Sequence, residues 1–186
     1  MDFLNEVLSP IELPMLWDFH GAVQCGFLDA VMPVVSSLCK WGALWIILAA
    51  VMVCMKKTRR CGVTVGLALI IGLLVCNIIL KPMFARIRPY ELDPTIPLLI
   101  AKETDFSFPS GHTIASFSSS VGIFMHSRKW GVPALILAVL IAFSRVYLMM
   151  HFLTDVIVSA VLGVVVGIVS AYIGRWMIGK TKMPCD

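Results

Sequence analysis

Residues 130–174 read WGVPALILAVLIAFSRVYLMMHFLTDVIVSAVLGVVVGIVSAYIG, two apolar runs (Trp130 to Met149 and Phe152 to Gly174) joined by a short polar junction. Each run is close to the about 20 residues a helix needs to cross a bilayer core. This stretch therefore sets the fold class as helical membrane protein. The junction, Ser144 to Asp155, reads SRVYLMMHFLTD and places Arg145, His151 and Asp155 where the two runs meet. Ionisable groups at the edge of the bilayer core are expensive and mark a functional site by default. His151 and Asp155 are four residues apart. On a helix that spacing puts both on one face, so the carboxylate holds one imidazole nitrogen and leaves the other free as base or nucleophile. The same residues also suit a plain helix-closing ion pair with a snorkelling arginine, and this stretch alone does not separate the two readings.

The 186-residue chain is 59% hydrophobic and 14% charged, with a mean hydropathy of +0.93. Globular averages are roughly half apolar and a quarter charged, so the composition predicts one integral membrane unit. The net charge of +4 falls in short clusters between apolar runs rather than along one face, which excludes nucleic acid as a partner class. Six cysteines (Cys25, Cys39, Cys54, Cys61, Cys76 and Cys185) contain no CxxC and mostly sit in or beside apolar segments. They signal neither a zinc site nor a disulfide framework and read as small hydrophobes.

Residues 1–35 form a first region. Asp2, Glu6, Glu12 and Asp18 alternate there with apolar residues and no basic stretch precedes them, so the segment reads as amphipathic and interfacial rather than as a signal peptide. Ala22 to Val35, interrupted by Asp29 and Pro33, reads as a second interfacial or re-entrant piece. Residues 36–186 form the helical membrane domain. Its expected spans are Ser36 to Met55, Cys61 to Leu80, Ser110 to Met125, Trp130 to Met149 and Phe152 to Gly174. The expected fold is thus an all-α bundle of five transmembrane helices, six if Ala22 to Leu38 also crosses. Tyr90 to Pro109, with four acids and three prolines, is long enough for a functional lid. Its apolar run Ile96 to Ile100 is too short to span and is expected against lipid.

Charge orients the bundle. Lys56, Lys57, Arg59 and Arg60, then Arg128 and Lys129, then Arg175, Lys180 and Lys182 fall at alternate helix ends. The positive-inside rule assigns those ends to the cytoplasm. The opposite ends, expected outside, carry Lys81, Arg88, Ser110, His112, Arg145 and His151. Gly62 to Gly66 and Gly163 to Gly167 each form a small-xxx-small pattern that permits close helix approach, although chance explains such patterns equally well in a chain with 13 glycines.

KPMFARIRP, from Lys81 to Pro89, carries two cations seven residues apart. If the segment after Pro82 is helical, two turns bring Lys81 and Arg88 to one side about 10 Å apart, and Pro89 ends the helix. A solvated interfacial charge cluster is the competing reading. PSGH, from Pro109 to His112, places Ser110 as a helix N-cap and Gly111 where backbone must approach a ligand. An ordinary cap beside a hydrogen-bonded histidine fits it as well. The three clusters converge on one membrane face. A cation ring with helix amides matches a phosphoryl group, whose charge lies on three equatorial oxygens, and two histidines divide acid and nucleophile roles. With no carboxylate cluster to hold magnesium, the expected chemistry is phosphoryl transfer without metal or other cofactor. The same cations would also suit an anion or lipid-phosphate transporter, but a binding site has no need of an oriented imidazole.

The ordered motifs K-x6-RP (Lys81 to Pro89), PSGH and SR-x5-H-x3-D (Ser144 to Asp155) resemble those of the type 2 phosphatidic acid phosphatases, membrane lipid phosphatases that share their site with vanadium haloperoxidases. The resemblance covers about Lys81 to Gly174. It implies His151 as nucleophile through a phosphohistidine, Asp155 as its orienting carboxylate, and His112 as acid and then base. It also implies that Lys81, Arg88, Ser110, Gly111 and Arg145 hold the phosphate, with no metal. Short bacterial members often act on undecaprenyl diphosphate, so that membrane lipid is the expected substrate; phosphatidylglycerophosphate and phosphatidic acid stand close behind. The sequence fixes no oligomeric state.

Overall fold

The computed structural model describes residues 3–178. Asp2, Lys180, Lys182 and Cys185 lie outside the described residues. A π-helical turn (Phe3–Leu8) leads into α1 (Ser9–Val23), and the chain then bends by 118° into α2 (Gly26–Leu38). A 3-10 turn (Lys40–Gly42) precedes α3 (Ala43–Cys54). Next come α4 (Arg59–Leu73), its π-helical continuation (Leu74–Leu80) and α5 (Lys81–Phe84). The short α6 (Pro89–Leu92), then α7 (Gly111–Phe124), α8 (Arg128–Tyr147) and α9 (Leu153–Ile178) complete the chain, with no strand among the described residues.

Three helices, Arg59–Leu92, Arg128–Tyr147 and Leu153–Met177, are long and apolar enough to cross a membrane, and the bent α1 and α2 pair makes a fourth if taken as one span. Of the five or six spans expected from sequence, two do not meet that measure of length and apolarity. Ser36 to Met55 is not continuous: Trp41 and Gly42 take left-handed φ values of 59° and 71° and split it, leaving the 12 residues of α3. At 1.5 Å per residue that is about 18 Å, short of the about 30 Å hydrocarbon core. The segment expected to span from Ser110 becomes α7, whose 14 residues sit at the bundle centre against α4, α8 and α9. Its Ser116, Ser118, Ser119 and Ser120 are fully buried. Trp45 Nε1 donates to Ser116 Oγ at 3.0 Å and Ser120 Oγ donates to the Ala134 carbonyl at 2.8 Å, so much of this polar face is satisfied inside the bundle.

Glycine sets the approach of α9 to α7. A Cβ on Gly163 would lie 2.7 Å from Phe117 Cβ, and one on Gly167 would lie 2.7 Å from the Ser118 carbonyl oxygen. The Gly163 to Gly167 pattern is a packing face. The Gly62 to Gly66 pattern is only half of one: a Cβ on Gly62 would meet Val53 N at 2.6 Å, whereas Gly66 has nothing within 4 Å.

One bundle end gathers the basic turns, where Arg175 Nη2 donates to the Met125 carbonyl at 2.9 Å and Thr64 Oγ1 lies 2.9 Å from His126 Nε2. The other end holds the 148–152 turn in a core of Leu16, Met32, Tyr90, Ile96, Tyr147, Met150 and Phe152. Ile96 is buried there with Leu98 and Ile100 packed beside it, so most of this run faces protein, while Leu99 stays exposed. Two bonds fasten the amino-terminal helices over that end: Trp17 Nε1 donates to Asp93 Oδ2 at 2.9 Å, and the Tyr147 hydroxyl donates to Asp29 Oδ1 at 2.6 Å.

Candidate active site

Each motif reaches this end from a helix terminus. Lys81 opens α5, Ser110 caps α7, His112 lies in its first turn, Arg145 in the last turn of α8 and Asp155 in the first turn of α9. Three local geometries differ from expectation. The helix carrying Lys81 stops at Phe84, because Ala85 adopts a left-handed φ of 44°, and Arg88 follows in extended backbone. Lys81 and Arg88 are therefore brought together by the turn and by a shared carboxylate, not by two helical turns. Pro89 opens α6 instead of ending a helix, since its fixed φ suits a first helical position. Ser110 holds the N-cap position of α7 without a side-chain cap bond; its backbone N–H donates to Ser159 Oγ at 2.7 Å and its hydroxyl accepts from Thr113 Oγ1 at 3.0 Å.

His151 precedes α9 in the turn, so it and Asp155 do not share a helix face. Nδ1 lies 3.8 Å from Asp155 Oδ2, beyond hydrogen-bond length, and Ser107 fills the gap. The Ser107 hydroxyl donates to Asp155 Oδ2 at 2.6 Å and lies 3.4 Å from His151 Nδ1. Because its proton is committed to the carboxylate, Ser107 Oγ can only accept from His151, which places the imidazole proton on Nδ1 and the lone pair on Nε2. Nε2 faces Arg88 Nη1 at 3.4 Å. Burial, then the Arg88 and Arg145 guanidiniums, push the pKa of His151 well below its ordinary 6.5, so the imidazole is neutral.

Asp155 is locked from behind. Its Oδ1 pairs with Arg86 Nη1 at 2.5 Å, and Arg86 Nη2 pairs with Glu12 at 2.5 Å. Arg86 also donates to Thr154 Oγ1 at 2.9 Å and to Ser9 Oγ at 3.2 Å, and its guanidinium stacks 4.1 Å from the Phe152 ring centroid. Sequence reasoning missed Arg86 although it stands inside KPMFARIRP; the missing signal was Glu12, which arrives from an amino-terminal helix with no motif of its own. Ser107, two residues before the PSGH motif, was missed as well.

Three cations face Glu103 and Asp105, which the long loop carries in. Lys81 Nζ pairs with Asp105; Arg88 Nη2 pairs with Asp105 Oδ1 at 2.5 Å and with Glu103 Oε2 at 2.7 Å; Arg145 Nη2 pairs with Glu103 Oε1 at 2.7 Å. Arg145 Nη1 donates to Ser36 Oγ at 2.6 Å, while its buried Nε has no partner. Burial would raise both loop carboxyls, but Arg145 and Arg88 hold Glu103 at about 2, and Lys81 and Arg88 hold Asp105 at about 2.

Fold and site together define an all-helical membrane protein with polar groups converging at one end of its bundle. The chain belongs to the PAP2 superfamily, whose family model matches residues 62–178. It is 35% identical over 129 residues to an undecaprenyl-diphosphatase of Sulfolobus acidocaldarius, covering 68% of this chain and 62% of that protein, so under two thirds of that relative's length. It is 29% identical over 140 residues to the undecaprenyl-diphosphatase BcrC of Bacillus subtilis, covering 75% of this chain and 72% of the relative. The fold matches the crystal structure of a transmembrane PAP2-type phosphatidylglycerolphosphate phosphatase from Bacillus subtilis with a TM-score of 0.75 at 23% identity, over 97% of this chain and 92% of that one.

Proposed function

We propose that this protein hydrolyses the terminal phosphate of undecaprenyl diphosphate to give undecaprenyl phosphate, at the extracytoplasmic membrane face and without a metal. The observation that carries the chemistry is the placement of the buried His151 ring, with Nδ1 3.4 Å from the Ser107 hydroxyl that donates to Asp155 and Nε2 3.4 Å from Arg88 Nη1 in the cation cluster. Lys81, Arg88 and Arg145, with the Ser110 hydroxyl and the Gly111 backbone N–H at the α7 terminus, hold the phosphoryl oxygens. His151 Nε2 attacks phosphorus and the bond to the bridging oxygen breaks; burial and the Arg145 guanidinium keep His112 neutral in the empty site, so it takes up the proton it gives to the leaving lipid phosphate only when the phosphate dianion binds beside it. The resulting phosphohistidine keeps its Nδ1 proton on the Ser107 and Asp155 relay. His112, now neutral, takes a proton from water as the water oxygen attacks phosphorus, releasing inorganic phosphate and restoring His151.

The choice of lipid rests on the two diphosphatase relatives. The outward orientation rests on the basic residues Arg59, Arg128 and Arg175, which stand at the end away from the site. Phosphate release by the purified protein in detergent, across undecaprenyl diphosphate, phosphatidylglycerophosphate and phosphatidic acid with EDTA present, tests the reading. Fastest release from undecaprenyl diphosphate, blocked by vanadate, is expected. Preference for a glycerolipid phosphate overturns the substrate, and loss of activity with EDTA restored by magnesium overturns the metal-free chemistry.

A further inference from the structure

The cations assigned to the substrate phosphate are already engaged by two carboxylates of the protein itself. Glu103 bridges Arg88 and Arg145 at 2.7 Å on each side, and Asp105 bridges Arg88 and Lys81. Three positive and two negative charges face one another there, a balance of +1. A phosphate dianion added without displacement would leave the cluster negative around a buried His151, so the entering anion must take the place of the carboxylates.

Both are placed to compete and to yield. The Glu103 backbone is pinned to Tyr90, whose hydroxyl donates to its carbonyl at 2.7 Å and accepts from its N–H at 3.1 Å. The Asp105 carbonyl accepts from Arg88 Nε at 2.7 Å. These anchors keep the carboxylates at a high effective concentration beside the cations. Their side chains are nevertheless 29% and 49% exposed, so rotation alone carries them outward without unfolding the loop.

We propose that Glu103 and Asp105 are specificity-determining residues that select terminal phosphates by charge, an inference that rests on the phosphatase reading above. A phosphodiester headgroup such as that of phosphatidylglycerol carries one negative charge. It can exchange for one carboxylate only, against a tethered competitor, and gains nothing. A terminal phosphate carries close to two charges and three free oxygens, matching all three cations and displacing both carboxylates at once. The device keeps the abundant phosphodiester lipids around the protein out of its cation cluster.

The test uses the full chain in detergent, in buffer free of phosphate and sulfate, as wild type, Glu103→Gln, Asp105→Asn and the double variant. Two quantities are read: the inhibition constant of orthovanadate, and inhibition by phosphatidylglycerol titrated into the mixed micelles at fixed substrate. Each single substitution is expected to tighten vanadate inhibition about tenfold, and the double variant to become sensitive to phosphatidylglycerol that leaves the wild type unaffected. Asp105→Asn, at a half-exposed side chain, keeps the test open should the Glu103 variant fold poorly. Unchanged or weaker vanadate inhibition in an active Asp105→Asn protein overturns the inference, as does equal phosphatidylglycerol inhibition of wild type and variants. A wild type that neither binds vanadate nor releases phosphate from any lipid refutes the phosphatase reading instead.

Discussion

Arg86 and Asp155 form an ion pair at 2.5 Å with neither side chain reached by solvent. Glu12 closes the pair into a triad and joins an amino-terminal helix to the carboxylate behind His151. Removing one member of a buried pair leaves a charge without compensation at a cost of about 3–5 kcal/mol. Arg86→Met is therefore expected to lower the thermal unfolding temperature in detergent strongly and to abolish turnover, because Asp155 and Glu12 would then lie buried together. Glu12→Gln keeps hydrogen-bonding capacity toward Arg86 and Thr154 and should cost less. Unfolding temperatures of the two variants check that order.

Ser107→Ala removes a hydroxyl within reach of both His151 Nδ1 and Asp155 Oδ2. The imidazole then faces a carboxylate 3.8 Å away. A lost charge-assisted hydrogen bond is worth about 1.5–3 kcal/mol, and each 1.36 kcal/mol is tenfold in rate. The expected result is a fall in kcat of about tenfold to a hundredfold with KM little changed, measured by steady-state phosphate release. A changed KM with intact kcat would place Ser107 in substrate binding instead.

The sequence made the three motifs and their common membrane end legible because a charge in an apolar run stands out whatever the tertiary structure. It did not reveal what lies behind them. Arg86 looked like one more basic residue, and its partner Glu12 is separated from it by 74 positions. The helix geometry assumed for Lys81 to Pro89 failed at a single residue, Ala85, whose left-handed φ no propensity argument anticipates. Span counting was blind to a related feature: α7 is apolar enough to read as a span, and its serines and glycine contacts place it at the buried centre of the bundle.

Glu103 and Asp105 also predict an acid limit. Each is held near 2, below ordinary values of 4.5 and 3.8, so each contributes stability fully above its unfolded pKa. That contribution is lost as pH falls from the unfolded value through about 2. The wild type should therefore lose stability more steeply than the Glu103→Gln and Asp105→Asn variants between about pH 4.5 and pH 2. Unfolding temperature against pH for the three proteins reads this directly, and parallel curves would show that the ion pairs do not persist in solution.

The two glycine patterns separate a packing face from a coincidence. Gly163→Val would drive a side chain into Phe117 and the Ile114 carbonyl, whereas Gly66→Ala meets nothing within 4 Å. Overpacking costs about 1–3 kcal/mol, while Gly to Ala inside a helix gains about 0.5–1 kcal/mol. Gly163→Val should lower the unfolding temperature, and Gly66→Ala should hold or raise it.

The last prediction separates the two histidines. His151 sits in the 148–152 turn with its Nδ1 proton committed, whereas His112 sits in the first turn of α7 beside Glu103, Arg145 and Arg88. If His151 Nε2 is the attacking atom, His151→Ala leaves no nucleophile and turnover of every substrate should vanish. In the proposed mechanism His112 acts on the leaving group, so His112→Ala should cripple lipid substrates, whose departing oxygen needs a proton. It should cost less on an activated aryl phosphate, whose leaving group departs as a stable anion. In the same variant, water attack lacks its base, so a phosphohistidine at His151 should accumulate. Rapid quenching into alkali, which preserves phosphoramidates, would trap it as covalent phosphate on His112→Ala protein and on no His151→Ala protein. Equal losses on lipid and aryl phosphate, with an unimpaired phosphorylation burst, would move the acid role away from His112. Aryl phosphate turnover at the wild-type rate by His151→Ala would remove the nucleophile from the proposed mechanism altogether.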